Sequence, residues 1–154
     1  MGNIFRLMAA LLCSMSLVVT PVFAATTTSP LTAQANVAAS CTITGVTNIN
    51  FGTYDTTSAT PTDAAGNFTF RCTKNTSYDL YIAGTRSMAN ATEGLSYELY
   101  QDAYSTTWPV GSPGVTGVSP NNAPVVKTVN GRIPTLQDVG IGAFTNSVNV
   151  TVSY

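Results

Sequence analysis

The chain has 154 residues, a formal net charge of −1 and no histidine. Only 8% of the residues are charged, and Thr, Ser, Asn and Ala are abundant, which is typical of extracellular proteins. The absence of a basic stripe excludes a nucleic-acid-binding surface, and the absence of histidine excludes histidine-based catalytic triads and most zinc sites.

The chain begins with a segment that has the features of a secretory signal peptide. Arg6 precedes an apolar run, and residues 22–24, Val-Phe-Ala, form a small-residue cleavage pattern. A retained membrane anchor is the alternative, but the run is short for a bilayer span. We therefore expect residues 1–24 to be removed, which leaves a single domain in residues 25–154.

The first element of the mature chain is an alternating stretch, residues 29–43. Its odd-numbered positions are apolar from residue 31 onward and the others are mostly polar, which is the period of a strand with one buried face. Residues 38–40 contain nothing that favours a tight turn. The strand is therefore predicted to project beyond the domain and to pair with another molecule; a disordered, Thr-rich tail is the alternative. The positions predicted to face the partner are Leu31, Ala33, Ala35 and Val37.

The mature chain contains two cysteines, Cys41 and Cys72. An even number of cysteines in an exported protein predicts a disulfide, which would stabilise the chain by roughly 3–4 kcal/mol. The alternative is a pair of free or metal-bound thiols. It has little support, because the sequence has neither a C-x-x-C spacing nor a histidine.

Short alternating runs dominate the rest of the chain, and turn-rich clusters separate them. Residues 109–124 are rich in Pro, Gly and Ser and are predicted to be a long connection. With the N-terminal strand, the runs predict an all-β sandwich or barrel without long helices. The runs are residues 48–55, 67–73, 78–84, 95–102, 125–133 and 147–154.

The last of these runs predicts an open edge. Val148, Val150 and Val152 alternate with polar residues up to Tyr154. An immunoglobulin-like sandwich has a seventh strand that covers its core, and the sixth strand here reaches the last residue of the sequence. We therefore expect either a different sandwich or one that lacks its final strand. In the second case the three valines would line an apolar acceptor groove.

The polar residues do not predict a catalytic site, a metal site or a cofactor site. The seven carboxylates are scattered over turns and strand ends. Arg132 lies among apolar residues and is predicted either to form an ion pair, with Asp138 as the nearest candidate, or to be a solvated strand residue. The pair Gly140 and Gly142 is predicted to belong to a turn, since no lysine follows it as in a phosphate-binding loop.

Five stretches, in order, resemble the spore coat protein U family, which includes pilin subunits of archaic chaperone–usher pili. The last stretch is the most specific, with Gly131-Arg132-Ile133-Pro134 and Gln137-Asp138 before a terminal alternating strand. The five stretches are "ASCTI", "INFGTYD", "SATPTDAAGNFTFRCT", "LSYELYQDAYSTTW" and "VNGRIPTLQDVGIGAFTNSVNVTVSY", and they span residues 39–154.

The resemblance implies an all-β fold, an incomplete immunoglobulin-like sandwich in residues 39–154 that lacks its final strand. Residues 25–38 would be an N-terminal donor-strand extension, and residues 26–37 of one subunit would fill the groove of the next. The disulfide would join Cys41 to Cys72. The implied function is that of a non-enzymatic, secreted subunit of a surface pilus that serves attachment and biofilm formation.

The same resemblance implies the partners and the location. The partners would be identical or related pilin subunits arranged head-to-tail, a periplasmic chaperone and an outer-membrane usher. The chain would pass through the periplasm to the cell surface. Two other functions remain open: a secreted coat or matrix protein without a chaperone–usher pathway, and a fibre-tip adhesin. The length argues against an adhesin with a separate receptor domain.

Overall fold

The computed structural model describes residues 22–154, so the signal peptide predicted at residues 1–24 lies almost entirely outside the described residues. The chain divides into two units, Met1–Ala35 and Asn36–Tyr154. In the first unit, residues 22–35 are exposed and carry no regular secondary structure. No helix of residues 22–154 is long and apolar enough to cross a membrane.

The second unit contains nine described strands in three antiparallel sheets. One sheet has four strands in the order β1-β2-β8-β6, and another has three in the order β7-β3-β9. The hairpin β4-β5 forms the third. The strands are β1 (Cys41–Thr47), β2 (Thr62–Cys72), β3 (Ser77–Ala83), β4 (Ser87–Ala89), β5 (Gly94–Ser96), β6 (Glu98–Tyr100), β7 (Val115–Val118), β8 (Val125–Ile133) and β9 (Asn149–Ser153).

The alternation of the sequence explains how these strands build one core. In β2, Phe68, Phe70 and Cys72 point inward and are buried, while the residues between them face outward. Trp108 is 3% exposed and packs edge-on against Phe68, with 5.6 Å between the ring centroids. The buried apolar side chains are Phe68, Phe70, Cys72, Leu80, Ile82, Leu95, Tyr97, Leu99, Trp108, Val129 and Ile133.

One predicted strand is absent, although its side chains pack as the alternation predicted. Residues 48–55 form no strand: the β1–β2 ladder ends where Thr47 pairs with Asn67, and the backbone then turns at Gly52, which has φ of 67°. The Asn50 side chain accepts a hydrogen bond from the Gly52 N–H (3.0 Å). This backbone N–H would pair with a neighbouring strand if the segment were part of a sheet. Ile49 and its neighbours still pack against the core.

Two other elements differ from the sequence-based expectations. Strand β7 lies inside residues 109–124, which were predicted to be a connection, and it pairs with β3. The predicted run 95–102 is two strands, because the chain changes sheets at Tyr97: β5 pairs with β4 and β6 pairs with β8. At that change, Tyr97 N–H donates to the carbonyl of Arg86 (3.0 Å).

Candidate functional site

The described part of the domain contains an open groove between the edges of the two larger sheets. Among the described strands, β1 pairs only with β2, and β9 pairs only with β3. Each of these strands therefore has one edge whose N–H and C=O groups face no neighbouring strand within residues 22–154. Two chain segments form the walls: residues 46–56, which include the end of β1, and residues 139–148 before β9. The groove has a volume of about 1250 Å³.

The floor of the groove is the hydrophobic core itself. Phe68, Ile82, Leu99 and Ile133 line it, and each of them is at most 1% exposed. These residues come from β2, β3, β6 and β8, so both larger sheets contribute to the floor. The groove therefore leads directly onto the side chains that hold the sandwich together.

The first wall depends on two glycines of the four-stranded sheet. Ile49 and Phe51 lie over this sheet where β2 and β8 carry Gly66 and Gly131. A Cβ atom at Gly131 would come 2.7 Å from Phe51 Cζ, and one at Gly66 would come 2.9 Å from Ile49 Cγ1. Both distances are too short for carbon atoms. The glycines thus make room for the apolar wall, and Phe51 also contacts the Tyr97 ring (5.9 Å between centroids).

The segment before the second wall, residues 134–137, is joined to the first wall by a hydrogen-bond network. The Tyr54 hydroxyl donates to the Pro134 carbonyl (2.8 Å) and accepts from the Gln137 N–H (2.9 Å). The Gln137 side-chain amide donates to the Ser96 carbonyl and accepts from the Ser96 N–H, both at 2.8 Å. Residues 134–137 are therefore held against both the first wall and β5.

The second wall itself rests on the β4–β5 hairpin. Glu93 accepts a hydrogen bond from the Gly140 N–H (2.6 Å), and Ala89 and Thr145 exchange two backbone hydrogen bonds. Asn146 donates to the Tyr97 hydroxyl (3.0 Å). Between these anchor points, the Ile141 side chain is fully exposed on the wall. The groove is thus bordered by fixed backbone and carries exposed apolar surface.

A comparison with protein families identifies the domain. The model of the Spore Coat Protein U domain matches residues 27–151. The chain belongs to the Spore Coat Protein U domain family. No curated protein matches the chain.

A solved structure has a similar fold. This Spore Coat Protein U domain is similar to a chain in the crystal structure of the CsuC–CsuE chaperone–tip adhesion subunit pre-assembly complex from the archaic chaperone–usher Csu pili of Acinetobacter baumannii. The TM-score is 0.55 at 19% identity, and the match covers 77% of this chain. It spans 40% of the length of the other chain. The likeness confirms the predicted all-β class.

The valines predicted to line the acceptor groove lie at two different places in this Spore Coat Protein U domain. Val148 and Val150 line the groove, and Val150 pairs with Ile82 of β3. Val152 pairs with Leu80 and packs against the core, but it does not line the groove.

The predicted disulfide is present, and the predicted donor residues are exposed. Cys41 and Cys72 are joined and are direct partners in the β1–β2 ladder. The residues predicted to enter a neighbouring groove, Leu31, Ala33, Ala35 and Val37, are exposed and lie in no strand of the described chain. Their donor role stays a prediction.

Arg132 forms an ion pair, as one of the two sequence-based alternatives predicted, but its partner is Asp63 and not Asp138. Two hydrogen bonds of 2.7 Å join the guanidinium to the Asp63 carboxylate, and the guanidinium carbon lies 3.7 Å from the centre of the Tyr104 ring. These hydrogen bonds lower the pKa of Asp63 and raise that of Arg132. Asp138 is exposed instead. Only the β2–β8 register, which pairs Asp63 with Arg132, brings the two residues together.

Proposed function

We propose that this chain is a secreted structural subunit that polymerises by donor-strand complementation into a surface pilus of the attachment or biofilm type. The observation that carries the proposal is the groove, an apolar channel onto the core between two strands that each leave one edge unpaired. The donor would be the N-terminal extension, residues 25–38, of another copy. Identical or related subunits would then join head-to-tail.

An extended peptide strand is the occupant that fits both properties of the groove. It satisfies the N–H and C=O groups of an unpaired edge, and its alternate side chains fill apolar space. The groove volume of about 1250 Å³ exceeds that of most small-molecule sites, which are ~300–1,000 Å³. Residues 31–37 would span ~23 Å as a strand, which exceeds the ~17 Å of the five residues of β9.

The way the extension leaves the domain favours pairing between molecules. Thr73 N–H donates to the Ser40 carbonyl (2.8 Å), and the Thr73 hydroxyl donates to the Ala38 carbonyl (3.3 Å). Residues 38–40 are therefore bound to the end of β2 and are not free to form the reversal that self-filling requires. A strand that inserts into the next copy makes a heterologous contact, and such contacts propagate into fibres.

The proposal includes the assembly partners and the route. A periplasmic chaperone would cover the groove until an outer-membrane usher exchanges it for the donor strand of the next subunit. The solved complex with the similar fold contains a chaperone and a tip adhesion subunit of archaic chaperone–usher pili, which supports this part of the proposal. The subunit would therefore pass through the periplasm to the cell surface, without enzymatic activity or a cofactor.

Paired substitutions in the extension test the proposal. Ala35→Asp would place an unpaired charge in the apolar groove at a cost of several kcal/mol, so we expect it to abolish fibres. Gln34→Asp adds the same charge on the opposite face and should cost less than ~0.5 kcal/mol. Fibre yield is measured by shearing and gel electrophoresis, with the amount of subunit as the control. Equal fibre yields from the two variants would overturn the proposal.

The name of the family favours one alternative, a coat or matrix protein that needs no chaperone–usher pathway. Deleting the chaperone and usher genes of the host decides between the two functions. Loss of surface-located protein supports the pilus, and unchanged surface protein supports the coat.

A further inference from the structure

Most charged side chains of the sandwich lie at one of its two ends, and Lys127 and Asp102 lie between them. The disulfide end is where β1 begins, β2 ends and β3 begins, next to the bond between Cys41 and Cys72. The Pro134 end is where β2 begins and β8 ends, since Thr62 pairs with Ile133. Strand β2 has eleven residues and separates the two ends by ~35 Å.

The disulfide end is basic. Arg71 and Lys74 flank the end of β2, whereas Lys127 lies opposite Phe68, near the middle of β2. Within residues 22–154 none of these three cations forms an ion pair. The acidic side chain at this end is Asp79, so two positive side chains stand against one negative side chain. Arg71 and Lys74 also line a cleft of about 500 Å³ at the base of the extension.

The Pro134 end is acidic, because its two arginines are already paired. Arg132 binds Asp63, and Arg86 lies 3.4 Å from Glu98. Three further carboxylates remain at this end and are exposed. They are Asp55 on the first wall of the groove, Glu93 against the second wall, and Asp138 beside Gln137.

The geometry of strand addition brings these two ends together, if the proposed function holds. Every described strand pair of this protein is antiparallel. Strand β9 runs toward the disulfide end, since Ser153 pairs with Asp79. A donor strand antiparallel to β9 therefore runs toward the Pro134 end of the acceptor and leaves the groove there. Only residues 38–40 then separate it from the disulfide end of its own subunit, a reach of ~13 Å.

We propose that successive subunits make a second, ionic contact, in which the basic disulfide end of one copy docks on the acidic Pro134 end of the next. Arg71 and Lys74 are the basic partners, and Asp55, Glu93 and Asp138 are the acidic ones. This inference rests on the proposed function and adds a contact outside the groove. A donor strand inserted in the opposite direction would bring two basic ends together, so the contact also selects the direction of insertion.

The expected effect is on the rate of assembly and on its salt dependence. Charges at the rim of an interface mainly change association rates. Exposed charges are screened beyond ~30 Å at about 10 mM salt and beyond ~3 Å at about 1 M. The contribution of the contact is therefore largest at low salt and small at high salt.

The test follows polymerisation of the disulfide-intact mature chain, residues 25–154, after dilution from denaturant. At about 10 mM NaCl, we expect Lys74→Glu to lower the initial rate by about fivefold or more. At about 1 M NaCl, its rate should approach that of the wild type. Lys74→Glu combined with Asp138→Lys restores opposite charges at every junction and should recover most of the rate.

A control separates this contact from a general effect of charge. Ala103→Glu combined with Thr128→Glu changes the net charge by the same two units at exposed positions between the two ends. The inference would be overturned if this control slowed assembly as much as Lys74→Glu does. It would also be overturned if Lys74→Glu assembled at the wild-type rate at low salt. Both results leave donor-strand assembly intact, whereas a wild-type chain that forms no fibre contradicts the proposed function itself.

Discussion

Gly131 gives the sharpest test of how the groove wall is built. A Cβ atom at this position would lie 2.7 Å from Phe51 Cζ and 3.2 Å from Ile49 Cγ2. Carbon atoms prefer ~3.5–4.0 Å, so in Gly131→Ala the Phe51 ring must move by roughly 1 Å. Such overpacking costs ~1–3 kcal/mol, and the reduced freedom of the unfolded chain offsets ~0.4–1 kcal/mol of it. We expect a net loss of about 1–2 kcal/mol.

Urea unfolding of the disulfide-intact mature chain in an Ala35→Asp background, which we expect not to polymerise, measures this loss, because Trp108 is the single tryptophan and is buried. Gly45→Ala is the matched control, since a Cβ at Gly45 meets nothing within 4 Å. In a Phe51→Ala background the cost of Gly131→Ala should largely disappear, because the clashing ring is gone. A Gly131→Ala chain as stable as the wild type, or an equal cost in both backgrounds, would refute this account of the wall.

Three further predictions concern the rest of the domain. Reduction of the bond between Cys41 and Cys72, which are 31 residues apart, removes a constraint on the unfolded chain. It should lower the free energy of unfolding by about 3–4 kcal/mol in a urea titration. The pKa of Asp63 lies below its ordinary value of 3.8, so its ion pair stabilises the fold above that pH and loses this contribution as the pH falls through the lowered pKa. Thermal unfolding of Asp63→Asn should therefore depend less on pH below about pH 4 than that of the wild type, and an unchanged profile would contradict the role of the pair. Gln137→Ala removes two hydrogen bonds to backbone and should cost ~1–3 kcal/mol, whereas Asp138→Ala next to it should stay within ~0.5 kcal/mol, and equal losses would refute the proposed anchor.

The strands that the sequence predicted well are those whose two faces differ in polarity. In β2 and β9 one side of the strand packs on the core and the other faces outward, so the apolar residues alternate. Residues 48–55 show the same alternation without forming a strand. Ile49 and Phe51 pack against the core although their backbone belongs to no sheet. The alternation of apolar residues therefore predicts which side chains are buried, but it does not predict which hydrogen bonds the backbone makes.

The missed features depend on contacts between distant parts of the chain. Strand β7 has only four residues, of which Thr116 and Val118 are exposed and one is a glycine. The alternation of apolar and polar residues that predicts a strand is therefore weak there. The pairing of Arg132 with Asp63 follows from the β2–β8 register, and the sequence places these residues 69 positions apart. The groove itself could be predicted from the last strand, but its first wall could not, because Gly131 acquires its role only when Phe51 lies over it.

Cross-linking between the extension and the groove tests the central claim most directly. A cysteine is introduced at Val148, which lines the groove, together with a second one at one position of the extension. The native cysteines are already joined to each other. After mild oxidation, Ala35→Cys or Ala33→Cys should give a ladder of disulfide-linked multimers on a non-reducing gel, and Gln34→Cys should give little. The account is contradicted if only monomers with an internal cross-link appear, or if Gln34→Cys and its neighbours cross-link equally.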